Sequence, residues 1–276
     1  ADAILQFAQL TKPVSFATTP SLAEYMINKA PVSIGKKVGE LGFDSLLLCG
    51  EPGPGIPEVK QRLESAYGAR VYDYWAPGGL GFGLSCNSEA YHGLHCYAPD
   101  YNLFQDDLID PSTREPIDSV DGAIGEAVHT SLDRDACPII KYAYGDIVQV
   151  ITGKCPECGF SGKRLKFVGR SDDMLIVKGS NVYPAAIQEI VNSFSPRVTG
   201  AMKIVLEEQP PRVVPPLKIK VEYAEALDQN QLADLEKEIK SACSHSIKIN
   251  PQIIWVPPNT FEKSLRKTSP FEKTYE

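Results

Sequence analysis

Apolar positions along the chain follow one rhythm in the first 80 residues and another after it. Early on, short apolar runs alternate with amphipathic stretches. Pro13 to Thr18 reads as a short strand. Ser21-Leu22-Ala23-Glu24 has the form of a capping box, with Ser accepting from the third amide and Glu reaching back, so a helix is predicted through about Lys29. A second helix is predicted over Ile34 to Glu40. Ser45-Leu46-Leu47-Leu48-Cys49 is a short apolar run suited to a strand buried on both faces. Gly50-Glu51-Pro52-Gly53-Pro54-Gly55 breaks it. Pro57 opens the next helix, Gly68 closes it, and Val71 to Trp75 is the next strand. Strand, glycine-rich loop, helix and strand make a βαβ unit of parallel sheet.

From about residue 80 to 168 the chain is glycine-rich with short β runs at Ala123 to Ser131, Ile147 to Thr152 and Arg164 to Val168. That pattern predicts antiparallel or barrel-like sheet. Met174 to Lys178 follows as a strand, Gly179-Ser180-Asn181 as a turn, and a helix opens at Pro184. A strand is predicted at Leu217 to Tyr223 and another at Ile253 to Val256. Between them Gln231 to Ser246 sets Leu232, Leu235, Ile239, Ala242 and Cys243 on one helical face. The expected class is α/β, with residues 1–168 in a large domain and 169–276 in a small α+β domain. No internal repeat or low-complexity segment is seen.

Composition narrows the functions without naming one. Of 276 residues, 43% are hydrophobic and 23% charged, which excludes disorder, collagen and coiled coil. A net charge of −7 lacks the broad basic footprint of a nucleic-acid binder. No apolar run approaches the roughly 20 residues of a membrane helix, and the start lacks the marks of a signal peptide. Seven cysteines is an odd count. Two of them, Cys155 and Cys158, have the spacing of metal ligands rather than of a disulfide, so a cytosolic (cytoplasmic) protein is expected.

Cys155-Pro156-Glu157-Cys158-Gly159 is half of a zinc knuckle, since two thiolates at this spacing can hold one tetrahedral Zn²⁺ at about 2.3 Å. The other half would be Cys86 with His92 or His95, of which His95 is carried forward. Four protein ligands leave no open position, so the zinc would be structural. His129 and His245 are expected to pack rather than to catalyse.

Four segments read together resemble the phenylacetate-CoA ligase branch of the adenylate-forming superfamily. They are Gly50-Glu51-Pro52, Tyr142-Ala143-Tyr144-Gly145-Asp146, Gly169-Arg170-Ser171-Asp172-Asp173-Met174, and Gly179 through Asn181, Pro184 and Glu189. The Gly93-Leu94-His95 segment and the cysteine knuckle fit the same branch, some of whose members bind zinc there. The resemblance implies ATP, Mg, CoA and a small carboxylic acid as ligands. The carboxylate attacks the α-phosphate to give an acyl-adenylate, and the CoA thiol then displaces AMP. It also implies roles. Asp146 would bind the ribose hydroxyls, and a carboxylate can accept both of their protons. Arg170 would contact ribose and phosphate. Gly50, Glu51 and Pro52 would form the adenine ledge, and Tyr72, Asp73, Tyr74 and Trp75 would line the neighbouring strand end, where a ring can stack on adenine. Asp172 would be the hinge between the large domain and a mobile small domain. Lys267 would be the catalytic lysine, with Lys263 its competitor.

The chain also departs from the family. Where relatives carry a magnesium-associated glutamate after Tyr-Gly, the matching stretch is Tyr74-Trp75-Ala76-Pro77-Gly78, which puts Gly78 in the acid's place; Glu89 is another acid nearby. Trp75 replaces a small glycine beside the expected acyl pocket, so a small or branched acid fits as well as an aryl one. Arg266 stands where the family has glycine before its lysine. The Ser/Thr/Gly-rich phosphate loop is not found. The chain therefore corresponds to the C-terminal two-thirds of a family member, a fragment or one subunit of a split enzyme. Its expected partners are a missing N-terminal segment or subunit, or a second copy in a homodimer, with no nucleic acid and no membrane. Two rivals share these motifs: an adenylating enzyme with a non-CoA acceptor, and a non-catalytic nucleotide- or acyl-CoA-binding module.

Overall fold

A computed structural model describes residues 1–275 apart from 52, 77–82, 98–107, 133, 137, 225–226 and 262–268. The chain divides into two compact units, one from Ala1 to Ser171 and one running on from Asp172. Among the described residues the first unit holds α1 (Asp2–Thr11), β1 (Ser15–Thr18), α2 (Pro20–Ile34), β2 (Ser45–Leu48), α3 (Pro57–Tyr67) and β3 (Arg70–Trp75). It continues with β4 (Gly83–Ser85), β5 (Leu94–His95), β6 (Leu108–Ile109), β7 (Pro116–Ile117), β8 (Ile124–His129), β9 (Tyr142–Ile151) and β10 (Arg164–Arg170).

These strands form one sheet in the order β1-β2-β3-β4-β5-β10-β9-β8-β6-β7. The first three are parallel, with Thr18 beside Leu48 and Leu48 beside Asp73. The pairings from β3–β4 onward are antiparallel. The change of direction at β3 matches the change in sequence rhythm near residue 80. It also aligns the carboxyl ends of β1, β2 and β3 along one margin, where α/β sheets bind ligands.

The helices fold for local reasons, and two expectations need correction. The cap of α2 is Thr19, whose Oγ1 accepts from the Leu22 amide at 3.3 Å with Pro20 in the first turn. Ser21 and Glu24 form no capping box. Ser21 donates to Glu51 instead, and Glu24 pairs with Arg62. The helix predicted over Ile34 to Glu40 is also absent: Ile34 ends α2, Gly35 turns left-handed at φ 68, and only Val38–Leu41 winds, as one 3₁₀ turn. Pro57 and Gly68 bound α3 as expected. In β2, Leu46 and Leu48 are fully buried while Ser45 and Leu47 are half-buried, so one face is covered more completely than the other.

Helix α1 was not predicted, because its apolar residues lie on both sides. Leu5 and Ala8 pack into the core with Met26 and Ala30 of α2, while Phe7 and Leu10 are exposed. A second cluster, around Val148, Val150, Leu165 and Ala127, sits under the antiparallel strands.

The second unit holds β11 (Leu175–Val177), β12 (Ser180–Val182), α4 (Pro184–Asn192), β13 (Val198–Leu206), β14 (Arg212–Val213), β15 (Lys218–Tyr223), α5 (Gln229–Ile247), β16 (Gln252–Val256) and β17 (Phe271–Lys273). The turn expected at Gly179-Ser180-Asn181 is tighter. Lys178 and Gly179 both have positive φ, and Ser180 and Asn181 already pair with Val177 and Ile176. Two left-handed residues are what a two-residue hairpin needs. A four-stranded sheet, β16-β15-β13-β17, has α4 and α5 packed on it. β13 was also missed: Thr199-Gly200-Ala201 opens it weakly and the register shifts between Val198 and Met202. Asp228 caps α5 in a box with Gln231, and Leu235, Ile239 and Cys243 are fully buried at spacing i, i+4, i+8.

Candidate functional site

Two clusters of polar chemistry lie in the first unit. The first is built on β3, β9 and β10. Asp146 of β9 stands opposite Arg170 of β10 in register. Its side chain is only 8% exposed and accepts from Arg170 Nη1 at 3.0 Å through Oδ1. Its Oδ2 accepts from Trp75 Nε1 at 2.8 Å. Arg170 also donates to the Tyr144 carbonyl at 3.2 Å and lies over the Tyr144 ring. Gly145 makes this close approach possible: it has φ +95, and a Cβ there would come within 2.9 Å of Arg170 Nη2.

Strand alternation divides the four candidates on β3. Asp73 and Trp75 share one face, and Tyr72 and Tyr74 take the other. All four stand at the strand end, two on each face. Tyr91 donates to Asp73 Oδ2 at 2.6 Å, and the Asp73 amide donates to Ser85 Oγ at 2.9 Å. Burial raises the Asp73 pKa to about 6, against the opposing pull of hydrogen bonds from Tyr91 and the Tyr74 amide. Burial, and then the Asp73 charge, push the Cys49 thiol up.

Glu51 follows β2 and faces the start of α2. Its carboxylate accepts from the Ser21 amide at 3.1 Å and the Ser21 hydroxyl at 2.9 Å. An anion at a helix N-terminus is favoured by the helix dipole. The Glu51 side chain therefore fixes the turn that Gly50 makes at φ +83. Pro52, Gly78, Lys263 and Lys267 lie outside the described residues. Asp172 is the first residue of the second unit.

The second cluster gathers Cys86, His95, Cys155 and Cys158, whose ligand atoms all lie within 4.8 Å of one another. Four ligands on a tetrahedral zinc stand about 3.8 Å apart when the metal–sulfur bonds are about 2.3 Å, so the set fits. His95 is fully buried, with Nδ1 at 3.1 Å from the Gly93 carbonyl and Nε2 at 3.3 Å from Cys158 Sγ. A proton on Nδ1 directs the Nε2 lone pair into the cluster. Gly159 turns at φ +75 and its amide donates to the Cys155 carbonyl at 3.1 Å. Burial pushes the Cys155 thiol up, but the amides of Cys158 and Glu157 outweigh it and the net direction is down; burial raises Cys86. His92 stands apart, with Nε2 at 3.9 Å from Glu157.

Sequence reasoning overlooked Tyr91, while His129 packs as expected. Tyr91 lies within the quoted Cys86–Cys96 segment, but its partner is 18 residues away. His129 is fully buried, packs its ring on Trp75 at 5.5 Å, and has its pKa lowered by burial to about 4.

Comparison with known proteins places this geometry. Residues 179–271 match the family described as the AMP-binding enzyme C-terminal domain. A phenylacetate-coenzyme A ligase of Thermus thermophilus is 24% identical over 270 residues, covering 92% of this chain and 58% of that protein. The chain is phenylacetate-CoA ligase-like. A phenylacetate-coenzyme A ligase of Pseudomonas putida is 33% identical over 192 residues, covering 65% of this chain and 39% of that protein. The phenylacetate-CoA ligase-like chain thus spans a little over half the length of the first relative and less of the second.

Among solved structures, 2-hydroxyisobutyryl-CoA ligase in its postadenylation state with 2-HIB-AMP superposes with a TM-score of 0.80. Identity is 26%, and 99% of this chain and 57% of that one are covered. The fold is the α/β fold of adenylate-forming CoA ligases. Among the described residues, no helix is long and apolar enough to cross a membrane.

Proposed function

We propose that this chain is the larger part of an ATP-dependent, AMP-forming carboxylic acid–CoA ligase. The observation that carries the reading is the likeness over 99% of the chain to a CoA ligase holding an acyl-adenylate. In that reading Asp146 accepts the ribose hydroxyls through charge-assisted hydrogen bonds. Arg170 sets a positive charge beside ribose and phosphate. Gly50, Glu51 and Pro52 form the adenine ledge, with Tyr72, Asp73, Tyr74 and Trp75 on the adjoining strand. Lys267 stabilises charge developing on the α-phosphate and the attacking carboxylate. Asp172 is the hinge.

The reaction has two steps. A carboxylate oxygen bonds to the α-phosphorus of ATP and pyrophosphate leaves, with magnesium accompanying the nucleotide. The CoA sulfur then bonds to the acyl carbon, its proton is lost, and AMP leaves. The acid is aryl or small and branched, in keeping with relatives named for phenylacetate and neighbours named for 2-hydroxyisobutyrate. The Cys86–His95–Cys155–Cys158 set would hold one structural zinc, tying the region around β5 to the turn before β10. Thiolate ligands need a reducing compartment, so the cytoplasm is proposed.

The test bypasses the first step. Phenylacetyl-adenylate or 2-hydroxyisobutyryl-adenylate is mixed with CoA and the chain, and acyl-CoA is read by mass spectrometry. Thioester formed above the uncatalysed rate is expected. Tight adenylate binding with no thioester would favour the non-catalytic module, and thioester-like products with another acceptor only would favour a non-CoA enzyme.

A further inference from the structure

Arg164 is a buried cation outside the nucleotide cluster. It opens β10, between β5 and β9, and is only 5% exposed. Backbone carbonyls hold its guanidinium: Nη1 donates to His92 at 2.9 Å and Nη2 to Thr152 at 3.4 Å. Its Nε is buried with no hydrogen-bond partner. Among the described residues, its partners are thus two carbonyls and no carboxylate. Arginine is rarely buried this deeply without a counter-charge, because an uncompensated charge in the interior is strongly destabilising.

The neighbouring residues suggest where that counter-charge lies. Arg164 stands opposite His95 in the β5–β10 register. Residues directly opposite on antiparallel strands share a face, so the guanidinium is on the same side as His95 of the Cys86–His95–Cys155–Cys158 set. The two carbonyls it bonds belong to the two ligand-bearing stretches. His92 stands between Cys86 and His95, and Thr152 precedes Cys155 by three residues. Three thiolates and a neutral imidazole on Zn²⁺ leave one net negative charge.

We propose that Arg164 is a positioning residue for the metal centre: it supplies the counter-charge of the three-thiolate set and ties together the 86–95 and 152–158 stretches that carry the ligands. The inference rests on the zinc reading given above. Asp121 is the rival partner for the guanidinium. It is exposed, and its carboxylate accepts instead from the Thr152 amide at 2.7 Å and the Thr152 hydroxyl at 3.1 Å.

The experiment is a double-mutant cycle on the zinc affinity of the chain, read by competition with a chromophoric chelator. Cys158→His converts the ligand set to two thiolates and two imidazoles, which carry no net charge with Zn²⁺. In the parent chain, Arg164→Gln is expected to weaken zinc binding about ten- to a hundredfold, the scale for outer partners of metal ligands. In the Cys158→His chain the same change should cost about threefold or less, because the charge it answers is gone. An equal loss in both backgrounds would make Arg164 a hydrogen-bonded tie, or the partner of Asp121, and would overturn the proposal. No loss in the parent would do the same. A parent chain that takes up no zinc would remove the metal reading itself, and the inference with it.

Should Arg164→Gln not fold, or Cys158→His not take zinc, Arg164→Lys decides. Lysine keeps the charge and loses the planar fork. Zinc affinity within about threefold of the parent is expected, and a loss of about tenfold or more would overturn the proposal.

Discussion

The two polar clusters of the first unit differ in how they are satisfied. The Cys86, His95, Cys155 and Cys158 cluster points inward: its ligand atoms face one another, and His95 is oriented by the Gly93 carbonyl. The Asp146 cluster gathers opposite charge and an indole donor from three strands of one sheet. A closed ligand set suits a structural ion, because no position remains for a substrate. An ionised carboxylate suits a polyhydroxyl ligand, whose hydroxyl protons it can accept. The same sheet thus carries one cluster whose groups face one another and one that pairs a carboxylate with a guanidinium and an indole.

Three changes would sharpen or break that contrast. The largest effect is expected at the closed cluster. Cys155→Ser should abolish zinc retention and destabilise the first unit by roughly 4 kcal/mol or more, as loss of a structural metal does. Metal content by mass spectrometry and thermal melting check it. Unchanged melting with the metal gone would show that the cluster holds nothing together.

A middle effect is expected at Asp73, on the face shared with Trp75. Its pKa is raised from 3.8 to about 6 in the folded chain. Below pH 4 the group is protonated in both folded and unfolded chains, and its stabilising contribution is fully present. Between pH 4 and 6 the unfolded chain ionises first, so that contribution is lost. The loss reaches up to about 3 kcal/mol above pH 6. Asp73→Asn keeps an acceptor for Tyr91, so it should match the parent chain near pH 4 and melt higher at pH 7.5. A variant that melts lower at pH 7.5 would contradict the burial argument.

The smallest effect belongs to Ser21. Ser21→Ala removes the hydroxyl that donates to Glu51 Oε1 at 2.9 Å but leaves the amide bond at 3.1 Å. A loss of about 1 kcal/mol is expected in denaturant unfolding. A loss several times larger would mean the turn after β2 depends on this one bond.

How far the molecule was legible depended on the range of each interaction. Cys155-x-x-Cys158 is a local spacing and was readable, as were the Pro57 and Gly68 ends of α3. The choice between His92 and His95 was not, because both sit near β5 and only the fold decides which ring turns inward. Capping was misread at α2 because Ser21 has two partners open to it, Glu24 three residues on and Glu51 thirty residues away, and the distant one prevails. Arg170 and Asp146 were named separately from motifs. Their pairing depends on the β9–β10 register, which carries a bulge between Phe167 and Gly169. Tyr72 and Tyr74 were grouped with Asp73 and Trp75 by adjacency, whereas strand period two puts them on opposite faces. β13 escaped because Gly200, held at φ +88 against Asn192, interrupts its pattern.

The central claim is that Asp146 is the nucleotide's anchor, and calorimetric titration of the chain with AMP tests it most directly. The account predicts saturable binding, one AMP per chain, that Asp146→Ala weakens at least about a hundredfold through loss of a charged acceptor. Binding that survives Asp146→Ala undiminished, with the variant folded, would contradict it.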